Sequence, residues 1–183
     1  MRITGGIYGG RLLKAPTGRD VRPTSDKVRQ AIFNILNARG LVDGAHVLDV
    51  FCGTGALGLE ALSWGAASCA FIDKSKSSLD LCKENFAALK VAAPSSFLLK
   101  DAVTPPPKPE TISPANLAFL DPPYRQGLIT LSLIALVEKN WLANGAHILI
   151  ETEKSFAEPQ KGFEALMERD YGDTRIALLK RAE

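Results

Sequence analysis

The sequence predicts an α/β protein with a doubly wound, mostly parallel sheet of seven strands. Short apolar runs typical of buried strands alternate with segments of helical periodicity, in the order that βαβ units require. The first run, residues 47–50, ends in a glycine-rich turn that leads directly into a helical pattern. The last two runs, residues 163–167 and 174–179, flank a turn and predict a closing, reversed hairpin.

The remaining elements follow from local start and stop signals. Thr24 or Ser25 can cap a helix whose apolar face repeats at helical spacing and which ends near Arg39-Gly40. Further helices are expected at residues 57–64, 76–89 and 126–140, and further strands at residues 69–73, 96–99, 117–120 and 146–151. The proline-rich stretch 105–109 is expected to be a stiff connector rather than a domain boundary, because the alternation continues after it.

Length and composition indicate one soluble domain. The chain has 183 residues, 46% of them hydrophobic and 23% charged, which is ordinary for a globular protein. The sequence contains neither an apolar run of about 20 residues nor the hydrophobic core of a signal peptide. We therefore expect a cytoplasmic protein. We also expect a monomer, with one domain over residues 1–183. Cys52, Cys69 and Cys82 form no disulfide or metal pattern and are expected to be buried thiols.

Positive charge is concentrated at the N-terminus. Residues 1–29 carry seven basic and two acidic side chains, a net charge of +5 in a chain whose total is +2. We interpret residues 1–24 as an extension that contacts a polyanion, with a small hairpin between Ile3 and residues 12–13, and residues 25–183 as the core. A flexible terminus with solvated charges is the alternative. The candidate phosphate contacts are Arg2, Arg11, Arg22, Lys27 and Arg29.

The glycine-rich turn predicts a ligand site at the end of the first strand. Gly53, Gly55 and Gly58 precede a helix, whose exposed N–H groups attract an electron-rich ligand. Dinucleotide sites share this spacing. However, Asp49 lies in the preceding strand, where its carboxylate would repel a pyrophosphate but suits an ammonium group. Asp73 ends the second strand, where it could accept hydrogen bonds from ribose hydroxyls or cap the following helix.

The tetrapeptide Asp121-Pro122-Pro123-Tyr124 follows the fourth strand and predicts methylation of an amino group. An exocyclic amino group is a poor nucleophile until acceptors on its hydrogens pull the nitrogen toward tetrahedral geometry. Asp121 and the Pro122 carbonyl can supply those acceptors, the two prolines fix the backbone, and Tyr124 offers a flat surface for an unstacked base. A rigid turn with a chance aspartate is the alternative. Together with Asp49, the tetrapeptide resembles class I S-adenosylmethionine-dependent methyltransferases, which have a Rossmann-like sheet.

The whole chain resembles the bacterial ribosomal RNA small-subunit methyltransferase D family. The N-terminal block is the most specific part of the resemblance. The matching residues are 1–3, 5–6, 10–12, 22–29, 33–36, 48–49, 53–61, 121–124 and 171–174. The resemblance implies an RNA-binding transferase that uses S-adenosylmethionine to methylate the N2 amino group of one guanine in 16S rRNA, within the small subunit or its assembly intermediate. It also implies that Asp101 lies near the adenine amino group of the cofactor; from the residues alone, an acid in a surface loop is the alternative. Asp73 and Cys52 depart from the glutamate and alanine expected there.

Three other functions explain the same residues less well. A DNA adenine-N6 methyltransferase usually carries a target-recognition insert, for which 183 residues leave no room. A non-catalytic rRNA-binding assembly factor would not require the intact tetrapeptide and glycine turn. A nicotinamide-dependent oxidoreductase explains neither Asp49 nor residues 121–124.

Overall fold

The computed structural model describes residues 1–16, 25–123, 127–154 and 161–182. The helices are α1 (Asp26–Ala38), α2 (Ala56–Ser63), α3 (Lys76–Leu89) and α4 (Leu128–Glu138), preceded by a 3-10 turn at Gly6–Tyr8. The strands are β1 (His46–Val50), β2 (Ser68–Asp73), β3 (Ser95–Leu99), β4 (Ala115–Leu120), β5 (Leu142–Glu153), β6 (Phe163–Tyr171) and β7 (Thr174–Arg181).

These strands form one seven-stranded sheet in the order β3-β2-β1-β4-β5-β7-β6. The pairs from β3 to β5 are parallel, whereas β7 runs antiparallel to both β5 and β6. The predicted fold class is therefore confirmed, including the reversed closing hairpin. The chain moves outward from β1 to β3 and then returns to β4, so β1 and β4 flank the switch point at which ligands bind in such sheets.

Capping residues and glycines determine where the helices begin. The Ser25 side chain accepts a hydrogen bond from the Val28 N–H and caps α1, which resolves the choice between Thr24 and Ser25. Gly55 and Gly127 precede α2 and α4 in the left-handed conformation. The strand β5 is longer than the predicted 146–151 at both ends, because Leu142 already pairs with Ala115 of β4 and the pairing with β7 continues to Glu153.

The sheet buries a separate core on each face. Phe71, Phe119 and Leu149 point toward the face covered by α1, α2 and α3. The opposite face contains Ile148 and packs against Leu133 of α4. Among the helices described, none combines the length and apolar character that a membrane span requires.

Residues 1–16 pack against this core. Ile3 is fully buried and Leu13 nearly so. The Ile3 N–H donates to the Arg11 carbonyl at 2.9 Å, and the Leu13 N–H donates to the Met1 carbonyl at 3.0 Å, which confirms the predicted pairing. The alternative of a flexible terminus is therefore wrong for this segment, since apolar burial and backbone hydrogen bonds both anchor it.

Candidate active site

The glycine turn and Asp121 lie side by side at the carboxyl edge of the sheet. Val50, the last residue of β1, pairs with Leu120, the last residue of β4. The residues that follow these strands therefore enter the same crevice. Pro122 is buried and Pro123 is exposed, while Tyr124 lies outside the described residues. The structure thus brings the two predicted motifs together from positions about 70 residues apart in the sequence, as the strand order requires.

Two glycines allow α2 to pack closely behind the turn. Gly55 has a φ of +77°, and a Cβ placed on it would lie 2.4 Å from the Cys82 Sγ. A Cβ on Gly58 would lie 2.4 Å from the Phe71 Cε1. Both positions therefore exclude a side chain, and the helix N-terminus remains close to the edge of the sheet, where its N–H groups face the crevice.

Asp49 lies beneath this turn, almost fully buried at 2% exposure. Its Oδ2 accepts a hydrogen bond from the Gly58 N–H at 2.9 Å. Burial raises the pKa of Asp49 to about 8, the Gly58 hydrogen bond opposes this increase, and the charge of Asp73 adds to it. An acid in this position gains most from a cationic partner, so the site fits an ammonium group better than a phosphate.

Asp73 organises the same turn from the neighbouring strand. Its Oδ2 accepts from the Gly53 N–H at 2.9 Å, and its Oδ1 accepts from the Ser75 N–H at 2.8 Å. The N-cap of α3 is Ser75, whose Oγ accepts from the Ser78 N–H at 3.2 Å, so the alternative role of Asp73 as the side-chain cap is wrong. Since each carboxylate oxygen has two lone pairs, Asp73 retains acceptor capacity toward the crevice.

Asp101 lies at the same edge, two residues beyond β3. Leu99 pairs with Asp73, which places Asp101 just past the tip of that strand pair. The Asp101 Oδ1 accepts from the Val103 N–H at 3.0 Å and shapes the local turn. The predicted cofactor residues therefore follow three neighbouring strands at one edge of the sheet.

Asp121 is an acid whose surroundings oppose its ionisation. Burial raises the pKa of Asp121 well above its usual range, and the charges of Glu151 and Asp49 raise it further. Glu151 is only 4% exposed and was not predicted as a site residue. In the sequence it is simply the last residue of an apolar run, and only the strand register shows that it lies beside Asp121.

The candidate phosphate contacts differ in their exposure. Lys27 is exposed, as is Arg2, which forms an ion pair of 3.8 Å with Asp26. Arg11 is exposed, but its Nη1 donates to the Leu89 carbonyl at 2.8 Å. Arg22 lies outside the described residues.

Arg29 requires a correction, because it cannot contact RNA. Its side chain is fully buried, with Nε 3.1 Å from Glu60 Oε2 and Nη2 2.8 Å from Asp26 Oδ1. A guanidinium enclosed in this way has no surface for a phosphate. The prediction was wrong because an arginine in a helix is usually solvated, whereas the buried partner of this one lies 31 residues away on α2.

Glu60 is a structural residue that the sequence reasoning missed. It is fully buried on α2, where its carboxylate accepts from the Thr4 and Gly5 N–H groups, both at 2.9 Å, and from the Trp64 indole at 3.1 Å. With Arg29, it fastens the N-terminal segment to the helix that follows the glycine turn. The available signal was a single acid in the otherwise apolar run 57–62.

Asn85 provides a second link between the N-terminal segment and the turn. Its Oδ1 accepts from the Lys14 N–H at 2.8 Å, and its Nδ2 donates to the Thr54 carbonyl at 3.0 Å. Because Thr54 lies between Gly53 and Gly55, the basic segment and the glycine turn are joined through one buried amide.

Comparisons with known proteins agree with this geometry. The family model described as Conserved hypothetical protein 95 matches residues 1–180. The putative rRNA methyltransferase YlbH of Bacillus subtilis is 33% identical over 186 residues, 99% of each chain. Ribosomal RNA small subunit methyltransferase D of Escherichia coli is 40% identical over 153 residues, 84% of this chain and 75% of that protein.

The solved structure of the Escherichia coli putative methyltransferase yhhF has a TM-score of 0.82 at 33% identity, and the match covers 100% of this chain and 98% of that one. The sheet order, the glycine turn and these relatives lead to one conclusion. The chain belongs to the Conserved hypothetical protein 95 family, together with the ribosomal RNA small subunit methyltransferase D relatives, and is a class I methyltransferase whose cofactor is S-adenosylmethionine.

Proposed function

We propose that this protein transfers a methyl group from S-adenosylmethionine to the N2 amino group of one guanine in 16S rRNA. The observation that carries the proposal is the position of Asp121-Pro122, beside the glycine turn at the switch point of the sheet. The names of the relatives, which specify ribosomal RNA and the small subunit, support the substrate class. The small subunit or its assembly intermediate is the proposed partner, and the protein acts as a monomer.

The proposed cofactor residues follow from the chemistry of their positions. Asp49 offers a buried carboxylate to the α-amino group, Gly53 and Gly55 let the ligand approach the backbone, Asp73 accepts from the ribose hydroxyls, and Asp101 accepts from the adenine amino group. When bound, S-adenosylmethionine supplies an electrophilic methyl group on a sulfonium sulfur. The fit rests on the preference of Asp49 for a cation and on the close packing at Gly55 and Gly58, which keeps the start of α2 at the edge of the sheet.

The proposed catalytic role of Asp121 is to accept one N–H of the target amino group. The Pro122 carbonyl accepts the other, so both hydrogens are held and the nitrogen lone pair is directed toward the methyl group. The backbone of Pro122 and Pro123 is fixed before the base arrives. The N–H donors of the bound base favour the ionised form of Asp121, and this carboxylate can take the extra proton that the nitrogen carries after transfer. Tyr124 is proposed to stack on the base.

The proposed RNA contacts are Arg2, Arg11, Arg22 and Lys27. Their charges would attract the phosphate backbone without reading its sequence. Because Asn85 and Glu60 join residues 1–16 to the glycine turn and α2, RNA bound at this segment would be held in a fixed position relative to the cofactor site.

The direct test is methyl transfer from labelled S-adenosylmethionine to three substrates: unmethylated small subunits, naked 16S RNA and duplex DNA. Nucleosides from each product are identified by mass spectrometry. The proposal predicts N2-methylguanosine from the ribosomal substrates. Methyladenine from DNA would contradict the proposed substrate but would still agree with the proposed role of Asp121. Tight cofactor binding without transfer to any substrate would favour a non-catalytic binding protein.

A further inference from the structure

Glu151 and Asp121 occupy matching positions at the ends of neighbouring parallel strands. Leu120 pairs with Ile150, so the next residues, Asp121 and Glu151, are adjacent across the β4–β5 boundary. Two residues earlier, Phe119 and Leu149 both belong to the core beneath α1, α2 and α3. Because side chains alternate along a strand, Asp121 and Glu151 point to that same face.

Two buried acids on neighbouring strands repel each other, so this arrangement does not favour folding by itself. Glu151 is 4% exposed, and its charge opposes the ionisation of Asp121. Burying one carboxylate costs free energy, and placing a second one on the adjacent strand adds repulsion. Both costs decrease when hydrogen-bond donors occupy the crevice. A carboxylate has about four acceptor sites, so contacts of Glu151 within the chain leave capacity for a substrate.

Guanine supplies donors in the required arrangement. Its Watson–Crick edge presents the N1–H beside the N2 amino group, so two donors lie next to each other. Adenine presents an unprotonated N1 beside its amino group, and that lone pair would face a carboxylate. Neighbouring strands lie about 4.8 Å apart, which lets two side chains from adjacent strand ends reach one base edge.

We propose that Glu151 is a specificity-determining residue that accepts the N1–H of the target guanine while Asp121 accepts from its N2 amino group. This inference rests on the proposed guanine-N2 methylation and names the contact that selects guanine. Adenine is rejected because its N1 lone pair would face the Glu151 carboxylate, and the two repel each other.

The base 2-aminopurine separates recognition of N1 from the chemistry at the amino group. It carries the same 2-amino group as guanine, but its N1 has no hydrogen. Once the methylated guanine has been mapped, small subunits are reconstituted with guanine or 2-aminopurine at that position. The kcat/KM for methyl transfer is then compared between the two bases, for the wild-type protein and for Glu151→Gln.

The wild-type protein is expected to prefer guanine over 2-aminopurine by about tenfold or more, the effect of losing one hydrogen bond from the base to a charged acceptor. In Glu151→Gln, the amide can donate to an unprotonated N1, so the preference should decrease by roughly tenfold. The intrinsic reactivity of the two bases cancels in this comparison. Glu164→Gln, an exposed change on β6, is the matched control and should keep the wild-type preference.

Two results would overturn this inference and leave the proposed function standing. They are equal use of both bases by the wild-type protein, and an unchanged preference for guanine in a folded Glu151→Gln protein. The first needs no variant when it is read as the affinity for subunits that carry each base, to which intrinsic reactivity does not contribute, so the test remains decisive even if Glu151→Gln fails to fold. If the wild-type protein forms N2-methylguanosine on no substrate, the proposed function fails and this inference fails with it.

Discussion

Replacing Asp49 with asparagine tests whether the buried carboxyl group is kept for its charge. The asparagine side chain has nearly the same shape, and its oxygen can still accept from the Gly58 N–H, which lies 2.9 Å from Asp49 Oδ2. Only the ability to ionise is lost. Because Asp49 is 2% exposed, screening by water at this position is slight.

The size of the effect follows from the raised pKa. Asp49 has a pKa of about 8 in the folded protein, against 3.8 as the ordinary value. The folded state therefore holds the proton more tightly, so the contribution of Asp49 to stability is complete below pH 4 and is lost as the pH rises to 8. At about 1.4 kcal/mol per pKa unit, Asp49→Asn should become more stable than the wild-type protein by up to roughly 6 kcal/mol.

The assay is denaturant unfolding between pH 4 and 9, with and without S-adenosylmethionine. Without the cofactor, the advantage of Asp49→Asn should grow with pH and level off above pH 8. With the cofactor, the wild-type protein should gain more stability than the variant, because its carboxylate pairs with the ammonium group. Asp43→Asn, an exposed change, serves as the control. An Asp49→Asn protein whose stability follows the wild-type curve at every pH would refute the reasoning.

Three further changes test separate parts of the account. Arg29→Met removes the only cation that contacts the buried Glu60 carboxylate among the described residues and should lower the free energy of unfolding by about 3–5 kcal/mol in urea; a loss below about 1 kcal/mol would count against the buried pair. Gly58→Ala places a Cβ 2.4 Å from Phe71 Cε1 and should cost about 1–3 kcal/mol and weaken cofactor binding, measured by calorimetry; unaltered binding would contradict the close packing. Lys27→Ala should leave stability within about 0.5 kcal/mol but reduce the salt dependence of RNA binding, and an unaltered salt slope would argue against that contact.

The elements that carry the site could be predicted because their signals are local. The apolar run 47–50 and the glycines after it specify strand, turn and helix within a dozen residues, and the Asp121-Pro122 signal follows the fourth strand directly. The alternation of strands and helices predicts parallel strands, so both motifs could be expected at the carboxyl edge of the sheet. That β1 and β4 are direct neighbours is known only from the structure.

The residues that were missed or assigned wrongly depend on partners distant in sequence. Arg29 and Glu60 each look like an exposed charge within their own helix, and only their contact across α1 and α2 makes burial of both acceptable. Glu151 ends an apolar run that any buried strand could contain. Its position beside Asp121 depends on the register between β4 and β5, which local patterns do not specify.

The central claim is that Asp121, held beside the glycine turn, serves methylation of a guanine amino group in ribosomal RNA. The most direct measurement is nucleoside mass spectrometry of 16S rRNA from a strain lacking this gene, complemented with the wild-type protein or with Asp121→Ala. The account predicts that N2-methylguanosine at one position is lost in the deletion strain, returns with the wild-type protein and stays absent with Asp121→Ala, which has no side-chain acceptor for the amino group. Full restoration by Asp121→Ala, or loss of a methylated adenosine instead, would contradict it.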